Sequence, residues 1–238
     1  MVWKPLIEQW LPARTIGAES LRERGSAKAY PPNNMLHVWW ARRPLVASRA
    51  AVLASVLPAW PDEIEAEASE EARRALAVLS AEFPDLPAYQ RWFTETLGIL
   101  GDPVESRRAI EEARGTGKRL SGNGYGYPRA FTTSPSADAI SRIQRIRAGA
   151  SGHSSTAVLD PFAGGGSIPF EASRLGATTI ASELNPVAVA ILEGTVRLPL
   201  QRGRSVAGLI RYWGTKWARQ AERRLTEYFP LAEHERVI

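Results

Sequence analysis

A chain of 238 residues, 44% of them hydrophobic and none cysteine, has room for one sizeable domain or one domain with a large insertion, and it excludes disulfides and thiolate zinc sites. No apolar run approaches the ~20 residues of a membrane span, and Met1-Val2-Trp3-Lys4-Pro5 lacks the charged-then-apolar layout of a secretory signal, so a cytoplasmic protein with no membrane partner is expected. The net charge of +5 is unevenly spread: acids concentrate over residues 62–71, while Arg42, Arg43 and Arg49, residues 142–147 and residues 202–224 are basic, suiting either phosphate-rich partners or solvated helix faces.

Residues 1–34 read as irregular, because Pro5, Pro12 and Pro31-Pro32 break any long helix. Asn33 or Asn34 can cap a helix over residues 35–57, kinked or divided at Pro44, whose Ala-rich half from Leu45 onward is expected to be buried. Pro61-Asp62-Glu63 opens another helix, with acids early and Arg73-Arg74 late to suit the dipole. Helices are predicted over 86–97 and 103–114, the second ended by Gly115 and Gly117. Residues 121–128 read as a loop in which Tyr125 and Tyr127 either stack on bases or pack on their own domain. A helix over 136–148 leads to a linker at 149–152.

Residues 156–160 predict a short buried strand, followed by a glycine loop and a helix over 167–175 closed by Gly176. A second strand over 178–182 ends at Glu183, and Asn185-Pro186 start a helix running to about Val196. This is one βαβ unit and a following helix, the repeating piece of a doubly wound sheet. Over 206–229 a long amphipathic helix is predicted. Val206, Leu209, Ile210, Trp213, Trp217 and Leu225 form its apolar stripe, with the tryptophans expected in a core, and Arg211, Lys216, Arg219, Arg223 and Arg224 take its polar positions. His153 and His234 have no evident partner.

Glycines at 164, 165 and 166 let the backbone turn tightly and let another group approach without meeting a Cβ. The helix that follows presents free N–H groups and a positive dipole end. Glu183, at the tip of the next strand, can accept hydrogen bonds from both hydroxyls of a ribose. The pattern describes a nucleoside-binding crevice; its plain alternative is a βαβ unit whose glycines serve only the turn. A dinucleotide fingerprint is disfavoured, since Pro169 stands where its third glycine belongs.

The run Asp160-Pro161-Phe162-Ala163-Gly164-Gly165-Gly166 resembles the D-P-F-x-G-x-G first motif of amino-group DNA methyltransferases, and Ser182-Glu183-Leu184-Asn185-Pro186 is similar to their second motif. The resemblance implies a loop that wraps the methionine part of S-adenosylmethionine and an acid that holds its ribose. Its candidate cofactor-binding residues are Asp160, Pro161, Phe162, Ala163, Gly164, Gly166, Glu183 and Asn185. The segment from His37 to Leu45, His-Val-Trp-Trp-Ala-Arg-Arg-Pro-Leu, is similar to the H-P-x-x-K-P motif that forms the methionine end of that pocket. It adds His37, Arg43 and Pro44, although Val38 replaces the first proline and the spacing is longer. On the alternative reading Trp39 and Trp40 are core aromatics.

With Lys4-Pro5-Leu6-Ile7-Glu8 and Gly25-Ser26-Ala27-Lys28, these pieces resemble the prokaryotic adenine-specific DNA methylases that carry a zinc ribbon, whose N-terminal region was long catalogued as a domain of unknown function. The resemblance implies methyl transfer to the exocyclic amine of adenine in double-stranded DNA, in modification or phage-defence systems with partner subunits. Two features of that family are absent. Cysteine for the ribbon is lacking, and no [D/N]-P-P-[Y/F/W] motif exists to hold the target amine, the only Pro-Pro pair being Tyr30-Pro31-Pro32-Asn33.

The expectation is therefore an N-terminal fragment that binds S-adenosylmethionine, has no catalytic residue and no metal site of its own, and is inactive alone. Its fold is expected to be α/β: a partial Rossmann-like methyltransferase core with a short parallel sheet, a large helical N-terminal part and an incomplete domain. The divisions expected are an N-terminal region 1–60, a helical insertion 61–150 and a cofactor-binding unit with a long helix at 151–238. The other readings are a fragment of an RNA or protein methyltransferase, and a non-catalytic module binding nucleic acid or a partner with a vestigial cofactor site.

Overall fold

The computed structural model describes residues 4–25, 30–117 and 124–229. Ser26, Ala27, Lys28, the loop residues 121–123 and His234 lie outside them. Residues 1–196 form one compact unit and residues 197–238 a second. The described chain is mainly helical with one small parallel sheet, a mixed α/β arrangement.

The N-terminal stretch is not irregular throughout. Helix α1 (Ala13–Arg24) begins directly after Pro12 and ends before Pro31, so the prolines that discourage a helix bracket this one. Helix α2 (Leu45–Val56) starts only after Pro44, which is extended at φ −58, ψ 135. The expected helix over 35–44 is instead turns and irregular backbone, because a proline lacks the N–H and disfavours helical geometry in the residue before it. Pro44 cannot cap α2 with its side chain. Glu23 of α1 does so, its carboxylate accepting from the amides of Leu45 (2.8 Å) and Val46 (3.3 Å). Burial raises the Glu23 carboxyl above its usual range, and those two amides pull it back.

One predicted helix becomes two, α3 (Glu63–Ala68) and α4 (Glu70–Glu82), because Ser69 is extended and caps α4 through the Ala72 amide. Asp62 and Glu65 form a capping box at the start of α3. Helices α5 (Leu86–Thr96) and α6 (Pro103–Thr116) are capped by Asp85 and Asp102, and Gly117 closes α6 in the left-handed conformation. Helix α7 (Ala137–Ser151) absorbs most of the expected linker. A Cβ at Gly149 would lie 2.5 Å from Val78 Cγ2, so glycine there lets α7 approach α4 rather than loosening the chain.

Strands β1 (Ala157–Asp160) and β2 (Thr178–Ala181) pair in parallel with Val158 opposite Thr179 and Leu159 opposite Ile180. Helix α8 (Ser167–Arg174) connects them, and α9 (Pro186–Leu192) follows, running into a π-helical turn, Glu193–Arg197. Among the described residues only one face of the sheet is covered: Val158 packs on the core, and Ser173 Oγ of α8 lies 3.4 Å from Thr179 Oγ1. Leu159 and Ile180, on the other face, are 64% and 56% exposed. The strand expected to be buried is thus half-buried.

The core joins the N-terminal stretch to α1, α2, α4, α5, α7 and the end of α8, with Leu6, Leu53, Leu79, Phe93, Ile146 and Leu175 in one cluster. Through it runs an ion pair without solvent exposure. Arg49 of α2 donates Nε to Glu171 Oε2 (2.6 Å) and Nη2 to Oε1 (3.2 Å), and Arg174 donates to the same carboxylate at 2.8 Å. Arg49 also donates to the Leu97 carbonyl at 2.9 Å. Such pairs set register more than they add stability, and this one fixes α2 against the helix after the glycine loop.

In the second unit, α10 (Leu198–Arg202) precedes α11 (Ser205–Leu225), and neither has a buried residue. Trp213 and Trp217, expected in a core, are exposed. Among the described residues no helix is long and apolar enough to cross a membrane.

Candidate functional site

The glycine loop leaves the carboxyl end of β1 and is folded by local hydrogen bonds. Asp160 Oδ1 accepts from the Phe162 amide (3.2 Å), and the Gly166 amide donates to the Ala163 carbonyl (2.8 Å). The Ala163 amide donates to Ser182 O (3.1 Å), tying the loop to the segment just beyond β2. Gly164 and Gly166 sit at φ +50 and +78, the left-handed region where glycine is needed, and Gly166 is the N-cap of α8.

Glu183 follows β2 at the same end of the sheet. Its Oε2 accepts from the Gly164 amide at 2.8 Å, and Oε1 accepts from Leu184 (2.8 Å) and Asn185 (3.2 Å). These amides, Asn185 first, then Gly164 and Leu184, hold its carboxyl below the usual range. Asn185 starts α9 as expected, its Oδ1 accepting from the Val187 amide at 2.9 Å.

The segment from His37 to Pro44 does meet the glycine loop, chiefly through a residue not singled out as a cofactor contact. A Cβ on Gly164 would stand 2.9 Å from Trp39 Nε1, and one on Gly165 would stand 2.8 Å from Trp39 Cβ. Trp39 therefore lies directly on the two glycines, while a Cβ on Gly166 would meet Leu192 Cδ2 of α9 at 2.9 Å. Ser167 Oγ donates to the Arg43 carbonyl at 3.1 Å, so Arg43 touches the start of α8 through its backbone. His37 is exposed, and Pro44 is half-buried at the α2 cap.

Asn33 is a second missed residue. Its side chain is buried, its Nδ2 donates to Gly165 O at 3.5 Å, and its Oδ1 has no hydrogen-bond partner among the described residues. Sequence placed Asn33 only as a possible helix cap; its signal was proximity to the Trp39 segment. On the rim, Pro161 is exposed, Phe162 is 84% exposed and Leu184 95%. Ala163 is buried beneath.

The other candidates lie elsewhere. Tyr127 is buried and donates its hydroxyl to Glu19 (2.9 Å), and the Arg22 guanidinium lies 4.0 Å from the Tyr125 ring centre and 4.6 Å from that of Tyr127. Both tyrosines pack on their own domain. A cleft between α5 and α7, lined by Trp92, Thr96, Ser134, Asp138 and Arg142, includes none of the loop residues. No group of His, Asp or Glu able to hold a metal occurs among the described residues.

Residues 10–79 match a family described as protein of unknown function (DUF1156). That span contains Asn33, Trp39 and Pro44 and stops well before the glycine loop. No curated protein and no solved structure matches the chain.

Proposed function

We propose that the chain is the S-adenosylmethionine-binding portion of a DNA methyltransferase directed at the exocyclic amine of adenine, built on a Rossmann-like βαβ unit. One observation carries the reading: the glycine loop after β1 and the acid after β2 meet at the carboxyl end of a parallel pair, Gly164 N to Glu183 Oε2 at 2.8 Å. That end of an open parallel sheet is where nucleoside ligands bind.

The residues suit such a cofactor. A carboxylate has about four acceptor positions; backbone amides use three on Glu183, leaving one on Oε2 for a ribose hydroxyl. The orphaned Asn33 Oδ1 beside Gly165 suits the ammonium of a methionine group. The half-buried indole of Trp39 suits a positively charged sulfonium. When bound, the cofactor supplies an activated methyl group; the chain's own part is to hold and orient it. The choice of adenine, of double-stranded DNA and of a modification or phage-defence setting rests on the sequence resemblance. With no target-amine motif in the sequence, the chain alone is proposed to bind without turnover.

Titration calorimetry with S-adenosylmethionine tests this. The wild type should bind, and Glu183→Ala should weaken binding by ~1.5–3 kcal/mol, the scale of a hydrogen bond to a charged group. A second reading has its own observation: Trp39 fills the space above Gly164 and Gly165, as in a glycine turn made for internal packing. On that reading the site is vestigial, and the wild type gives no heat.

A further inference from the structure

Residues 1–196 carry twenty-one basic and twenty-one acidic side chains, whereas residues 197–238 carry nine and four. The entire net charge of +5 therefore belongs to the second unit. Seven of the eight cations within residues 197–229 are arginine, the side chain whose planar fork matches phosphate.

On α11 these charges are ordered. Arg211, Arg219 and Arg223 lie on one face at multiples of four residues, with Lys216 beside them, covering about 18 Å at ~1.5 Å per residue. All four are exposed, and none is ion-paired among the described residues. In the first unit several surface arginines are neutralised in place: Arg74 pairs with Glu70, Arg107 with Glu111, and Arg142 and Arg145 share Glu82, and acids balance bases across the unit as a whole. An unneutralised cationic row on a rigid helix is complementary to a regular polyanion.

We infer that the Arg211–Lys216–Arg219–Arg223 face of α11 is a sequence-independent docking surface for the phosphate backbone of duplex DNA. It lies in a different unit from the glycine loop, and its action does not depend on cofactor binding. An anionic membrane surface is the rival partner for a basic amphipathic helix. It is disfavoured because the apolar stripe is interrupted by Arg224, at the helical angle of Val206, Trp213 and Trp217, whereas the cationic row continues to Arg223 and so outruns the surface available for insertion. Phosphate contacts position a protein without reading bases, so unrelated duplexes bind alike.

The test uses the full chain without cofactor and two unrelated fluorescein-labelled 20-base-pair duplexes, followed by anisotropy between 50 and 200 mM KCl. Wild type should bind both duplexes alike, with a log–log salt slope of about −3 to −4, as four phosphate contacts at ~0.9 each require. R211Q/K216Q/R219Q/R223Q should reduce the slope to about −1 or less and weaken binding about tenfold or more at 50 mM. R73Q/R74Q/R108Q/R114Q, removing as many exposed charges from the first unit, should stay within about twofold, with circular dichroism confirming that both variants keep their helix. The inference is overturned if wild type does not bind, if the α11 variant binds like wild type, or if both quadruple variants lose binding equally. Wild type preferring phosphatidylglycerol vesicles to DNA would also overturn it. A chain that binds DNA but gives no heat with S-adenosylmethionine would leave this surface standing and remove the cofactor reading alone.

Discussion

The amide of Gly164 donates to the carboxylate of Glu183 across 2.8 Å, so a side chain joins the backbone bond from Ala163 to Ser182 in tying together the turns that follow two neighbouring parallel strands. A residue whose expected task is to grip a sugar already organises the loop that would receive the rest of the ligand.

That bond has a pH signature. Because the folded state holds the Glu183 carboxyl below its usual range, its contribution is present above the unfolded value of ~4.3 and is lost as pH falls through the lower folded value. In an NMR titration the Gly164 amide resonance should stay constant from neutrality down to about pH 4.3 and move only below it. Movement with a midpoint at or above that value would show that the amide contacts do not favour the charged form.

Trp39 and Gly164 should be energetically coupled. Gly164→Ala meets the indole at 2.9 Å and also strains a backbone at φ +50. In urea denaturation it should cost about 1–3 kcal/mol in the wild type. In a Trp39→Ala background the steric part disappears and the left-handed backbone penalty of about 1–2 kcal/mol remains. Equal costs in both backgrounds would mean that the indole does not rest on the loop.

Removing one partner of the buried Arg49–Glu171 pair should be severe. Arg49→Met leaves Glu171 with Arg174 alone and the Leu97 carbonyl without its donor, an expected loss of about 3–5 kcal/mol. Arg49→Met with Glu171→Leu should recover part of that loss, because no uncompensated carboxylate stays in the core. A double variant less stable than the single one would contradict this account.

Glu23 should matter as a helix cap supplied from another helix. Glu23→Ala leaves the first amides of α2 without a side-chain acceptor and should cost about 1–2 kcal/mol. Glu23→Gln keeps one acceptor and avoids burying a charge, so thermal or urea unfolding should place it between Ala and wild type. Indistinguishable stability for Ala and wild type would argue against the cap.

The elements that local chemistry determines were legible in the residues. The helices expected over 86–97, 103–114 and 136–148 are present, the glycine cluster marks its turn, and the step from Asp160 to Glu183 marks the parallel pair. What was missed depends on distant partners. Pro44 suggested a kink within a helix, but the cap that makes it a start comes from Glu23. Gly149 reads as part of a linker because its packing partner, Val78, is far away in sequence. At the site, the loop and the acid were legible, whereas Trp39 and Asn33 were not: their contacts with Gly164 and Gly165 span more than a hundred residues of chain. The apolar stripe on α11 carries the periodicity of a buried helix, and periodicity alone does not reveal whether anything covers it.

The two-stranded sheet has a practical consequence. Parallel pairs are normally sheltered on both faces, yet Leu159 and Ile180 stand opposite each other toward solvent, and among the described residues each strand has only one neighbour. A ribbon of this kind offers unpaired amides and carbonyls along both sides together with a greasy step between them, the combination through which chains recruit one another. Handling at high concentration should therefore favour self-association, and threonine at positions 159 and 180 should relieve it without disturbing the glycine turn.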